Sequence, residues 1–278
     1  VFPRTPYAEA AVLYEPLGGG PDFGFIPMEP AQEPGSLMRG LAHGLRYGAV
    51  DYLSEDMLTD LNLGRYAVIF APMALSLSPA SQQALISYVR GGGVLVADWG
   101  IGVYETGSLI RMPDPISELF GVGFIYGVVR TPLDMIVSRP DPLFPSLEFR
   151  EMTSGRRLGG AFAGLVGNAR IYGDSRRILT RRVFGTRAPS VFINDVGEGH
   201  AIFASAALWE NWHRGDNLWA EFHGDLLARG EALRLQGGSG PFTAADAYLY
   251  EDGAVGVYST SAANPTVVQI AGTADTLY

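Results

Sequence analysis

Asp98, Glu105 and His200 are the side chains whose chemistry and placement suit hydrolysis. Asp98 follows the apolar run Val94–Ala97 and is itself followed by Trp99-Gly100. A carboxylate at the end of a buried strand acts as base or nucleophile when it is paired and partly shielded from water. Glu105 and Glu15 fall where the same strand edge would bring them near. The competing role of Asp98 is structural, closing a turn by binding a backbone N–H, and that role is favoured over catalysis. A glycosidase also needs two carboxyls at a set separation, which is a property of the fold rather than of spacing along the chain.

Other chemistries are excluded or weak. The chain has no cysteine, so thiol nucleophiles, thiolate metal sites and disulfides are absent. It also has no lysine, which removes Schiff-base chemistry and a Walker-type phosphate contact. The four histidines, His43, His200, His213 and His223, fall at no metal-ligand spacing, and no HExxH arrangement occurs; neither a metal nor a cofactor is expected. His200 sits in a predicted strand and reads as a packed or hydrogen-bonded side chain. No serine has the GxSxG setting of a nucleophile elbow.

Of five aromatic residues, Trp99, Tyr104, Trp209 and Trp212 follow predicted strand ends, and Tyr14 closes one. They could gather over one sheet edge, where flat rings beside carboxylates suit sugars. The same residues suit a subunit or inter-domain interface, and packing of that kind is the favoured reading over sugar contact.

These side chains must be held by an alternating set of elements. Tyr66–Ala71 is a short, partly β-branched apolar run, fit for a strand buried on both faces. Ser78-Pro79 caps and starts a helix. Ala84, Leu85, Tyr88 and Val89 form its apolar stripe, and Gly91-Gly92-Gly93 ends it. Val94–Ala97 completes a βαβ unit whose strands should be parallel. In open sheets of this kind ligands bind at the carboxyl ends of the strands, here Asp98-Trp99-Gly100. Upstream, Ala10–Tyr14 and Val50–Leu53 read as strands, Leu37–Leu45 as a helix, Gly18–Gly35 as a long loop and Ser54–Leu63 as an amphipathic connection. Downstream, Pro115–Phe120 reads as a helical turn, Phe124–Val129 as a strand, Pro140–Pro145 as loop or edge, Ser190–Ala206 as a hairpin around Gly197-Glu198-Gly199, and Asn217–Leu227 as a helix. The fold class is α/β, a doubly wound parallel sheet over residues 1–233.

Composition shifts to Gly, Ser and Pro near Arg234–Phe242, the expected domain boundary. Ala247–Tyr250, Ala254–Tyr258 and Thr266–Ile270 then read as strands of a partial β-sandwich spanning 234–278. The net charge of −9 argues against nucleic acid. The arginine pairs Arg156-Arg157, Arg176-Arg177 and Arg181-Arg182 read as solvated or ion-paired surface. No apolar run is long enough to span a membrane, so a soluble protein, cytoplasmic or secreted, is expected. The first residue, Val1, reads as a sign of processing or excision from a longer protein.

Four stretches carry a resemblance. AVDYLSEDML with RYAVIFAPMALSLS, SYVRGGGVLVADWGIGVYE, PISELFGVGF and APSVFINDVGEGHAIFAS, in that order, resemble the class I glutamine amidotransferase-like trimerisation domain of family-42 β-galactosidases, from about Ala10 to Leu227. The strands that follow resemble that family's small carboxyl-terminal domain. The resemblance implies a flavodoxin-like fold and the non-catalytic part of a carbohydrate-active protein, whose catalytic glutamates lie in a separate barrel. It implies a homo-oligomer, in that family a trimer, with carbohydrate as the other expected partner. Related amidotransferases place a cysteine at the turn occupied here by Asp98-Trp99-Gly100, so that nucleophile is missing. Two alternatives stand beside this reading: a hydrolase using Asp98 with Glu105 or His200, and a structural building block of a surface layer or filament.

Overall fold

Short aliphatic runs bounded by turn-forming residues become the strands of one large sheet. The computed structural model describes residues 8–13, 50–72, 74, 77–98, 101–102, 104–105, 108–109, 114–132, 135–137, 141–147, 151–152, 163–171, 175–183, 186–205, 217–227, 234–236, 245–249, 255–259, 267–269 and 276–277. The helix expected at Leu37–Leu45 and the loop at Gly18–Gly35 lie outside them.

The chain begins with β1 (Ala10–Leu13), β2 (Val50–Leu53), the one-turn helix α1 (Met57–Asp60), a 3-10 turn at Leu63–Arg65, β3 (Val68–Ala71), α2 (Pro79–Arg90) and β4 (Val94–Asp98). There follow β5 (Tyr104–Glu105), β6 (Ser108–Leu109), α3 (Asp114–Phe120), β7 (Val122–Pro132), β8 (Met135–Val137), β9 (Glu151–Met152), β10 (Ala163–Ile171), β11 (Arg176–Val183), β12 (Thr186–Val196), β13 (Gly199–Ala204) and α4 (Asn217–Leu227). The last part holds β14 (Arg234–Gln236), β15 (Ala245–Leu249), β16 (Val255–Ser259), β17 (Val267–Gln269) and β18 (Thr276–Leu277).

The main sheet runs β2-β1-β3-β4-β13-β12-β11-β8-β9. Its first five strands are parallel, and the remaining four pair antiparallel. The expected doubly wound parallel sheet is therefore parallel in its first half and, from the expected hairpin onward, mixed. The reason is connection length: only Gly197-Glu198 separates β12 from β13, and a two-residue link makes a hairpin, whereas a parallel neighbour needs a crossover of a dozen residues or more. Gly197 has φ +63, the left-handed conformation such a turn favours.

The βαβ unit forms as its sequence dictates. Ser78 Oγ accepts from Ser81 N at 3.2 Å, with Pro79 at the first helical position. Glu55 adds a carboxylate at that same helix start, accepting from Ser78 N and from Ser81 Oγ, where negative charge is favoured. Leu85, Ile86 and Val89 bury the helix stripe. Tyr88 reaches under it, its hydroxyl bonded to Tyr66 O at 3.1 Å and Val94 O at 3.2 Å.

Register shows how helices cover the sheet. Phe70, Val96 and Ile202 stand in one row across β3, β4 and β13, so their side chains share a face. The Phe70 ring lies 5.4 Å from His223 of α4, placing α4 on that face. Ala97 and Phe203 share the opposite face, where Phe120 of α3 packs 5.6 Å from Phe203 and α2 lies against α3. The core accordingly sits on both sides of the central strands.

Outside this sheet, β7 and β10 pair as a long antiparallel ribbon and β5 with β6 as a short one. The carboxyl-terminal part contains β14-β17-β18 and β15-β16 as two small antiparallel sheets. The stretch Arg234–Phe242, expected as a boundary, itself supplies the strand β14.

Candidate functional site at the two ends of the parallel strands

At the carboxyl end, Asp98 is 1% exposed. Its carbonyl accepts from Ile101 N at 3.1 Å, and Gly102 N donates to Ala74 O at 2.8 Å. Asp98 and Ile101 are thus joined backbone to backbone, and Gly102 is tied to Ala74. Ala204 lies in register with Asp98. Ser205 N then donates to Ser190 O at 2.7 Å, so two buried serines continue this edge.

His200 is at the other end. It pairs in register with Val94, four positions from the Asp98–Ala204 pair, a separation of about 13 Å along the strand. This corrects the expectation that Asp98 and His200 could act together: parallel register fixes them at opposite edges. His200 Nδ1 instead lies 2.7 Å from Asp195 Oδ1. Arg176 binds the other Asp195 oxygen and donates through Nε to Asp141 Oδ2 at 2.8 Å. The Asp141 carboxylate is only 4% exposed and also accepts from Leu143 N at 3.0 Å. The four residues tie the β12–β13 hairpin and β11 to the 141–147 turn, and Arg176 is an ion-paired arginine as its sequence setting implied.

Tyr104 and Glu105 are placed by backbone alone, on β5. Tyr14, Glu15, Trp99, Trp209, Trp212, His43, His213 and the pair Arg156-Arg157 lie outside the described residues. Among the described residues, no group of three or more acidic or histidine side chains could hold a metal ion, and no helix is long and apolar enough to cross a membrane.

A cavity of about 670 Å³ opens at the amino end of the parallel strands. One wall is the 3-10 turn, with Asn62, Arg65 and Tyr66; the other is the end of α2, with Ser87, Tyr88 and Gly91–Gly93; Glu9 lines it where the chain enters β1. Asn62 closes its own turn by accepting from Gly64 N at 3.1 Å. Asp51 organises the first wall. It ion-pairs with Arg65 and accepts from Tyr66 OH at 2.8 Å, while the guanidinium lies 4.8 Å over the Tyr66 ring. Burial first, then the hydrogen bond to Asp51 and that residue's charge, push the Tyr66 phenol up to about 12, against a smaller opposing effect of Arg65. This groove is not legible from local pattern, where Ser54–Leu63 reads as an amphipathic connection and Gly91–Gly93 as a helix stop. The non-local signal is an acid on β2 facing an Arg-Tyr pair just before β3.

No sequence-family model matches the chain, and no curated protein is similar to it in sequence. Solved structures do share its fold. The β-galactosidase from Bacillus circulans sp. alkalophilus superposes with a TM-score of 0.67 at 13% identity, over 96% of this chain and 36% of that one. The GH42 β-galactosidase Gan42B from G. stearothermophilus gives 0.61 at 19% identity, over 88% and 33%. A ThuA-like protein from Bacteroides uniformis gives 0.52 at 15% identity, over 82% and 91%. The chain therefore spans about a third of the length of the β-galactosidases whose fold it shares, and its α/β architecture is one found within glycoside hydrolases.

Proposed function

We propose that this chain is a non-catalytic, flavodoxin-like and amidotransferase-like α/β unit of a carbohydrate-active, β-galactosidase-like protein, serving homo-oligomer assembly, as a trimer, or the shaping of a substrate cleft. The observation that carries this reading is Asp98 at the end of β4. It is buried, and its carbonyl is tied to Ile101 N, in a chain without cysteine, which supports a part that lacks the thiol nucleophile of a related amidotransferase. The likeness to about a third of each β-galactosidase supports a part of a larger protein rather than a whole enzyme.

Sedimentation of the purified chain, together with nitrophenyl β-galactoside hydrolysis, tests this. A stable trimer without hydrolysis is the expected result. Turnover that disappears in Asp98→Asn, with the fold retained by circular dichroism, would overturn the reading in favour of a hydrolase.

A further inference from the structure

We propose that the amino-edge groove is a binding subsite for a neutral sugar, one or two units of a glycan; this deepens the function proposed above and rests on it. The volume, about 670 Å³, falls within the ~300–1,000 Å³ usual for small-ligand sites. Its lining mixes donors and acceptors with short apolar surfaces: Arg65, Asn62, Ser87 and Glu9 beside Leu61 and Leu63. Hydroxyl-rich rings with apolar C–H faces match such a mixture, whereas a purely apolar ligand would strand the polar groups.

The charge pattern selects a neutral ligand. Arg65 carries the groove's positive charge, and Asp51 already balances it. Glu9 also lines the groove in a chain of net charge −9, and among the described lining residues no second cation compensates, so a phosphate or carboxylate ligand meets repulsion.

The wall is also preorganised. Asp51 fixes both the guanidinium of Arg65 and the hydroxyl of Tyr66, and the guanidinium lies over the Tyr66 ring. A guanidinium presents five N–H donors in a rigid fork, and the Asp51 contact engages only its Nη2 arm. Binding against a wall held in this way requires little further ordering of the protein. Gly91–Gly93 complete the opposite side with backbone and no side-chain bulk.

The test uses saturation-transfer NMR on galactose and mannose with the whole chain, its Ser87→Trp variant and its Arg65→Ala variant. Ser87 is an exposed position on α2 that lines the groove, so tryptophan there fills the space without entering the core. Expected is saturation transfer to at least one sugar with the unaltered chain, weakened about tenfold or more in affinity by each substitution while circular dichroism is unchanged. Absence of transfer, or equal transfer in Ser87→Trp, would overturn the subsite. Sedimentation of the same samples keeps the two readings apart: loss of the subsite with the trimer intact refutes the groove alone, and sugar binding by a monomer supports the groove while refuting assembly.

Discussion

Replacing Gly199 by alanine puts a methyl group where the β12–β13 hairpin touches the end of α2. A Cβ at this position would meet the carbonyl oxygens of Val89 and Gly93, both well under the 3.0 Å that real Cβ atoms respect. Neither obstacle is a side chain that could swing away. Each is backbone, one in the last turn of α2 and the other at the entry to β4. Overpacking a close contact costs about 1–3 kcal/mol, and rigid partners place this case at the top of that range. Relief requires the hairpin to lift, which lengthens His200 N to Gly93 O, now 3.1 Å, and Glu198 N to Arg90 O, also 3.1 Å; weakening one such bond adds ~1 kcal/mol. The expected loss is ~3–4 kcal/mol, a large share of the 5–15 kcal/mol typical of a folded domain. Urea unfolding followed by circular dichroism measures it as a lower midpoint at an unchanged slope. Gly91→Ala is the matched control: its nearest contacts would be 3.4 and 3.6 Å at φ −82, so a change within ~1 kcal/mol, on the stabilising side, is expected. A Gly199→Ala loss below ~1 kcal/mol at unchanged slope would refute the contact argument.

Tyr66 supplies a pH dependence. Its folded pKa, about 12 against an ordinary 10.0, lies above the unfolded value, so its contribution is fully present below pH 10 and is lost as pH rises toward 12. The difference corresponds to at most ~2.7 kcal/mol, reduced to ~1–2 kcal/mol by solvent around the half-buried Asp51 and Arg65. Comparing alkaline unfolding of the chain with Tyr66→Phe should show the variant less sensitive between pH 10 and 12; identical curves would contradict the Asp51 arrangement. Ser78→Ala removes the cap of α2 and should lower stability by ~1 kcal/mol in thermal unfolding. Asp141→Ala leaves Leu143 N without its acceptor and Arg176 with one carboxylate rather than two, and a loss of ~2–3 kcal/mol is expected from chemical denaturation.

The elements that a local pattern specifies were legible. Ser78-Pro79 and the spacing of Leu85, Tyr88 and Val89 gave α2; Val50–Leu53 and Asn217–Leu227 match β2 and α4 residue for residue. Gly197-Glu198-Gly199 gave the hairpin. What escaped was decided by distant partners. The strands at Ala163–Ile171 and Arg176–Val183 contain glycine and paired arginines, which dilute any alternating pattern, and they exist as strands by pairing with β7 and with β8 and β12. The edge to which His200 belongs follows from its register with Val94, a relation between residues that no local window contains. The groove escaped for the same cause, since Arg65 meets an acid on β2 and faces the end of α2 across the groove only after the sheet is assembled.

That same register sets an order of events in synthesis. β3, α2 and β4 form from neighbouring residues, yet the strand that covers β4 on its far side begins at Gly199, and His200 pairs with Val94 across more than a hundred intervening residues. Until that strand leaves the ribosome, β4 is an open edge, apolar from Val94 to Ala97, next to a finished helix, the kind of surface that recruits strands from other molecules. The charged hairpin that arrives with β13, bearing Asp195 and Glu198, closes this edge and brings its own polar cover. The time between translation of β4 and of β13 is therefore an interval in which the nascent chain carries an unpaired strand edge.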